Sequence, residues 1–496
     1  MNESRRRFLI DSACGLSAAA MVSAVDRLGL LNAIVQAQSA PAADYKALVC
    51  VFLSGGSDCN NMVVPYTGYS DANGYDATRT ASGLAVPKSA LLQISPPNQS
   101  GNVFGLHPNL SPEVANAAQP PGLLKSWQDG KLAILCNYGP LLRPTTKAQY
   151  QANTGGAFRP YQLFSHSDQV NQQMSSIVNT TGQTGWAGRI ADNTGGLNGV
   201  TVLPMSLSLA GTNLLQTGIT TRQIAIGTGS LQNVLSLSWS GPASANPFTN
   251  GSSFRQLLTF DRNQALIKGA SDTMSTALNA DQILNQPDPV IPTPPSTTAF
   301  PATGIGNQLK QVAKLIKIKD TLGMKRQIFF CSLGGFDTHT NETGSDPTNP
   351  GGQGTQSGTQ GNLLTQFSQA ARAFYDEMNA QGNGSNVTLF TLSDFGRTFQ
   401  PSGSGASSVG TDHAWGSHAF IMGGAVLGGT FYGTYPTLVP NGPDDDGGNR
   451  GRWIPTTSID QYGATLARWY GLDPSLLTTV FPNLSKFATQ NLGFLG

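Results

Sequence analysis

Three times in this chain a short apolar run stops at a small-residue turn, and an aspartate stands just beyond it. Ala47 to Leu53 breaks at Ser54-Gly55-Gly56-Ser57 before Asp58. Arg326 to Leu333 breaks at Gly334-Gly335 before Asp337, and Val387 to Leu392 runs directly into Ser393 and Asp394. Runs of this length, rich in β-branched and aromatic residues and bounded by turn signals, read as strands buried on both faces. A further strand is expected at Lys131 to Asn137. Amphipathic helices are expected at Gln308 to Leu322, where Leu309, Val312, Leu315 and Ile316 share one face, at Leu363 to Met378, and at Asp460 to Tyr470. Strand–helix alternation at this spacing predicts an α/β fold, a mostly parallel sheet sandwiched by helices. Ligands of such sheets sit outside the carboxyl ends of the strands, so the three aspartates are placed on one rim.

The stretch Val387 to Gly424 adds imidazoles to that rim. A Gly/Ser-rich loop follows Asp394, and Asp412, His413 and His418 then arrive within seven positions, although the chain has only five histidines. His339 lies two residues after Asp337. Oxygen and imidazole donors without thiolates favour zinc, manganese or iron, and with more carboxylates magnesium or calcium. Two ions about 4 Å apart would clamp the attacking and leaving oxygens of an ester displacement. Simpler readings stand beside these: Asp58 as the cap of the next element, and Asp412-His413 as solvated turn residues. In "YQLFSHSDQVNQQMSS", Ser165 next to His166 and Asp168 suits a nucleophile near its activators, or else a capped helix. Arg397 is placed either to neutralise a bound anion or to pair with a structural carboxylate.

Charged residues make up only 11% of the chain, and no basic patch or acidic tail points to nucleic acid. Ser4-Arg5-Arg6-Arg7-Phe8-Leu9 fits the twin-arginine export pattern. An apolar stretch from Cys14 to Val25 follows, and small residues at Ala37, Ser39 and Ala40 offer a processing site. Residues 1–40 are therefore assigned to a signal peptide, and the twin-arginine translocase is the expected export partner. Residues 41–496 hold 25 basic and 25 acidic residues, which gives no steering charge. No later run reaches the roughly 20 apolar residues of a membrane span, so a periplasmic or extracellular protein without a transmembrane anchor is expected. Cys50, Cys136 and Cys331 sit inside strand candidates and read as buried thiols, with Cys59 the one to watch for reactivity. Residues of about 198–302 read as a β-rich and helical insertion over the sheet edge, with a helical run from Phe254 to Leu284 and a proline-rich connector at Gln286 to Pro301.

The motifs "FLSGGSDCNNMVVP", "GGFDTHTNE", "LSDFGRTF" and "GTDHAWGSHAFIMGG" resemble those of the twin-arginine-exported domain-of-unknown-function family fifteen-oh-one, grouped with the alkaline phosphatase/sulfatase superfamily. The resemblance covers nearly all of residues 41–496 and implies an alkaline-phosphatase-like domain. It implies one or two divalent ions (zinc, manganese, magnesium or calcium) held by Asp58, Asp337, His339, Asp394, Asp412, His413 and His418. Asp337 and His339 resemble the superfamily's Asp…His pair, with one intervening residue instead of three. Asp394 resembles the acid of the following Asp-His pair, with Phe395 in the place of histidine, so that Asp412-His413 would supply the missing imidazole. The superfamily's early Ser, Thr or modified Cys nucleophile has no counterpart in Cys59-Asn60-Asn61, and Ser165 with His166 is the candidate instead. The implied activity is hydrolysis of a phosphate or sulfate ester, carried on a small molecule or a polymer. The rival is a non-catalytic exported binding or assembly protein that kept the fold and part of the metal site.

Overall fold

The computed structural model describes residues 41–231 apart from 73, 200 and 202, scattered positions between 256 and 284, and residues 299–496 apart from 344–357 and 405–407. Residues 1–40, expected to be a signal peptide, lie outside the described residues. So do most of the expected helical run from Phe254 to Leu284 and most of the connector after it.

The strands of the main sheet are β1 (Lys46–Leu53), β2 (Leu132–Gly139), β3 (Ser206–Ser208), β4 (Ile224–Ala225), β5 (Arg326–Leu333), β6 (Val387–Ser393), β7 (Ser417–Gly423), β8 (Phe431–Gly433) and β9 (Thr457–Ser458), and Val63–Pro65, Leu92–Ile94 and Phe104–Leu106 pair in a separate small sheet. The main sheet has nine strands in the order β8-β2-β7-β6-β1-β5-β3-β4, with β9 also paired to β2. β7 runs antiparallel to both of its neighbours, β2 and β6, and the other pairs are parallel. β3 and β4 carry the sheet outward from β5.

The central strands are buried on both faces, as their continuous apolar sequences require. Val49, Val51 and Leu53 pack with α3 (Gly304–Lys317) and α4 (Thr359–Ala380) through Leu309, Val312, Phe367 and Phe374. Leu48, Cys50 and Phe52 pack on the opposite side with α1 (His166–Ser175), α2 (Trp186–Thr194) and α5 (Ile459–Tyr470) through Met174, Trp186, Ile190 and Leu466. Odd and even residues of one strand thus feed two separate cores. α3 begins four residues before the expected start, because the Thr303 hydroxyl accepts the Gly306 N–H and caps a first turn that carries no apolar periodicity.

Register decides where the site is built. Leu53 pairs with both Leu333 and Ser393, so β1, β5 and β6 end level with one another. The loop after β6 doubles back as a ribbon, with bridges at Arg397–His413 and Ser402–Gly410. It then enters β7, whose antiparallel course starts at the same rim. Turns after three strands and one returning loop therefore meet at one end of the sheet. No helix among the described residues is long and apolar enough to cross a membrane.

Candidate metal centre

Each functional side chain on this rim is aimed by its local backbone. After β5, Thr338 turns inward and donates to Glu342 Oε2 at 3.0 Å, so its neighbours Asp337 and His339 both face outward. After β6, Asp394 accepts the Gly55 N–H through Oδ1 at 2.8 Å. Gly55 and Gly56 have φ of +117° and +82°, and a Cβ at either would lie 2.4 Å from the Asp337 nitrogen or 2.5 Å from the Phe395 ring. Only glycine fits that turn. His166 is the first residue of α1. It follows Phe164, a bulky residue held at φ +71°, which is a costly conformation away from glycine.

These elements bring four side chains together. His166 Nε2 and His339 Nε2 lie 3.0 and 2.9 Å from His413 Nε2. Asp337 Oδ1 lies 3.4, 3.2 and 3.7 Å from the Nε2 atoms of His166, His339 and His413. His166, Asp337 and His413 form a set whose ligating atoms all lie within 4.8 Å of one another, and His339 stands at its edge.

The hydrogen bonds on the far side of each ring decide what this cluster can hold. His413 Nδ1 lies 2.8 Å from the Phe164 carbonyl, which can only accept. His166 Nδ1 lies 2.8 Å from Asp394 Oδ2, and His339 Nδ1 lies 3.3 Å from Asp412 Oδ1. Each Nδ1 therefore carries a proton, and in the neutral imidazoles each Nε2 presents a lone pair to the shared space. A single proton can bridge one N···N pair, yet His413 Nε2 faces two. A cation held by His166, Asp337 and His413 would satisfy the crowded Nε2 of His413 and leave the His339 lone pair at its edge. Donors about 2.0–2.1 Å from one ion sit about 3.0–3.4 Å apart, close to the spacings found here. The residues present thus fit a divalent ion, and a histidine-rich donor set favours zinc, manganese or iron over calcium or magnesium. Carboxylate or carbonyl support behind each imidazole is the usual outer shell of a metal-binding histidine.

The electrostatics agree. Burial holds the His413 imidazole below its ordinary range, with the neighbouring His166, Arg397 and His339 adding to the effect against the Phe164 carbonyl. Burial pushes Asp337 up, but the Arg397 guanidinium outweighs it and holds the carboxyl below the usual range. Asp412 is likewise held low, against burial, by Ser402 and Arg450.

Several residues expected at the site are engaged elsewhere. Asp58 is fully buried in an ion pair with Arg79, whose Nη1 lies 2.5 Å from its Oδ2 and whose Nη2 lies 3.2 Å from its Oδ1. It also accepts the Asn60 N–H as a helix cap, so both oxygens are occupied. His418 accepts the Asn137 N–H at Nδ1, 3.0 Å away. That leaves the neutral ring's proton on Nε2, which is buried without a partner among the described residues, so the ring has no lone pair for a metal. Arg397 is entirely buried. Its Nε donates to the Gly56 carbonyl, its Nη1 to the Thr411 carbonyl, and its Nη2 to the Gly55 and Phe336 carbonyls and to Asp337. It ties the rim loops together and leaves nothing for a free anion. Ser165 donates to Asp168 at 2.6 Å, a contact within the first turn of α1, while its neighbour His166 joins the cluster. Asp394 and Asp412 stand behind His166 and His339 with both oxygens in use, the second oxygen of Asp412 taking Arg450. Cys59 is buried, and burial pushes its thiol up to about 12, which makes it inert at neutral pH. The other three cysteines described are free and buried.

The Asp58–Arg79 pair has a neighbour that titrates. Burial, reinforced by Asp58, pushes the Glu342 carboxyl up to about 8. It therefore keeps its proton in the folded state at pH values where the unfolded chain has lost it. Between the ordinary carboxylate range and about pH 8 the folded state binds the extra proton, so stability falls as pH rises through that window and levels off above it. Glu342→Gln is expected to remove this slope in urea melts run from pH 5 to 9. An unchanged slope would assign the titration to another group.

Phe164, Arg450 and Arg452 were not singled out in the sequence, yet they support the cluster. A backbone carbonyl has no residue-type signal, and the spacing Arg-Gly-Arg at 450–452 was the only available hint. No curated protein matches the chain. Among solved structures it is similar to Ps i-CgsB in complex with k-i-k-neocarrahexaose, at 8% identity and a TM-score of 0.32 over 89% of this chain and 77% of that one. It is also similar to the PsFucS1 sulfatase from Pseudoalteromonas sp., at 9% identity and a TM-score of 0.30 over 93% and 72%. The family model described as "Protein of unknown function (DUF1501)" matches residues 262–446, a span that holds Asp337, His339, Asp394, Asp412 and His413 but not His166.

Proposed function

We propose that this chain is an exported, metal-dependent hydrolase of phosphate or sulfate esters. The observation that carries the reading is the convergence of three anchored imidazoles and Asp337 on one open rim of the sheet. His166, Asp337 and His413 would hold a divalent ion, which supplies Lewis acidity and offsets oxyanion charge. Asp394 and the Phe164 carbonyl fix the tautomers of the two histidine ligands. His339 is the most exposed of the three imidazoles, at 44% for its side chain, and Asp412 orients it. It is placed to take a proton at Nε2 from an attacking water and to release it to solvent. Ser165 is turned toward Asp168 and Cys59 is buried, and the displacement we propose is by water in one step. The motif resemblance supports the choice of phosphate and sulfate esters, and the twin-arginine pattern supports export.

One observation favours a second reading, an exported binding or assembly protein with a residual metal site. The Phe395 ring lies 4.7 and 4.8 Å, centroid to centroid, from the His166 and His413 rings, where the resemblance would place another donor. His339→Gln separates the two readings. In a hydrolase it retains the ion and lowers kcat on an aryl phosphate or sulfate by about 100-fold or more, the usual scale of general-base loss. If the zinc-loaded wild type turns over neither ester, the binding protein is the correct reading.

A further inference from the structure

Arg397 is occupied, so any oxyanion bound at this rim must be met by another cation. Arg450 and Arg452 straddle the Asp412-His413 segment. Arg450 Nη2 donates to Asp412 Oδ2, and to Ser402 Oγ at 3.1 Å. Arg452 donates through Nε to the His413 carbonyl at 3.0 Å, and its guanidinium carbon lies 4.3 Å from the centroid of the Phe164 ring. That same Phe164 supplies the carbonyl behind His413. The guanidinium is thus fixed at one edge and across one face, in contact with the backbone of a proposed metal ligand. Neither Nη of Arg452 has a hydrogen-bond partner among the described residues. Asp446, the nearby acid, directs one oxygen to the Gly448 N–H and does not close a salt bridge with Arg452.

We infer that Arg452 is an oxyanion-binding residue beside the metal centre, its two Nη groups taking the free oxygens of a tetrahedral sulfate or phosphate group. A planar fork held rigid on an aromatic ring, with Asp446 near but no carboxylate of the described residues within ion-pair distance, suits bidentate recognition of such a group. The inference deepens the hydrolase reading by placing on Arg452 the ester's unesterified oxygens, so that a substrate lacking them would bind poorly. Anion binding itself does not require turnover.

The test is calorimetric titration of the zinc-loaded full chain with inorganic sulfate and, separately, inorganic phosphate. Zinc content and aryl-ester kinetics are measured on the same preparations. Arg452→Met, which keeps the length and the stacking surface, is expected to weaken the bound anion by about 10- to 100-fold, the scale of lost charge-assisted hydrogen bonds, with zinc content unchanged. Arg452→Lys should recover part of the loss as a point charge, and both variants should raise KM more than they lower kcat. Wild-type anion affinity in Arg452→Met overturns the assignment. Loss of zinc in that variant also overturns it, because the guanidinium would then be a prop for His413. Arg452-dependent anion binding without ester turnover would uphold this site while removing the hydrolase reading, and turnover with an Arg452-independent KM would do the reverse.

Discussion

His413→Ala is expected to strip the bound divalent ion from the protein while leaving the fold in place. His413 Nε2 is the atom that both other imidazoles approach, at 3.0 and 2.9 Å, so its removal opens the donor set at its centre. Asp394→Asn is the reference, because Asp394 reaches the cluster through the His166 ring, and an asparagine keeps an oxygen for the Gly55 N–H. A positioning partner of that kind is worth about 10- to 100-fold in metal affinity, and removal of His413 itself should exceed that. His418→Ala should retain the metal, since its ring presents a proton and not a lone pair. Elemental analysis after dialysis, paired with a thermal melt, reads all three variants. Equal metal retention in wild type and His413→Ala would remove the metal centre altogether.

Arg79→Met is expected to destabilise the chain by about 3–5 kcal/mol, the cost of leaving a buried charge without its partner. The Asp58 side chain is buried and Arg79 is the cation paired with it, while the neighbouring Glu342 carboxyl keeps its proton. Arg79 also donates to Asn61 Oδ1 at 2.6 Å and to the carbonyls of Phe399 and Thr398 at 2.9 and 3.0 Å, which adds to the loss. Asp58→Leu combined with Arg79→Met should recover part of it, because removing both charges cancels the unpaired-charge cost but leaves those carbonyls unmet. Urea unfolding of the single and double variants measures both terms. A single-variant effect under about 1 kcal/mol, the scale of an exposed pair, would mean that water reaches Asp58.

The same pair marks the boundary between what sequence could and could not reveal. Asp58, Asp337 and Asp394 stand alike after apolar strands, and nothing local distinguishes a ligand from a structural acid. Arg79 makes the distinction by folding back from 21 residues downstream. His418 was equally ambiguous: its place in β7 turns the ring toward the Asn137 N–H of β2, a partner 281 residues away. His166 shows the opposite case. Its neighbour Ser165 suggested a nucleophile and base in sequence, while the partners of its ring are Asp394 and His413, 228 and 247 residues away.

The amino-acid sequence by itself determined the strands β1, β2, β5 and β6, most of the helices that cover the sheet, and the rim on which chemistry is possible, whereas β7 reads as loop in sequence. Burial on two faces writes a continuous apolar run, and turns write small residues, so both survive in the local pattern. Only the tertiary structure decided which acids and imidazoles share one space, which are neutralised by arginine, and which ring nitrogens keep a lone pair. Those properties depend on hydrogen-bond partners supplied from distant strands and loops, and no local pattern of residues encodes them.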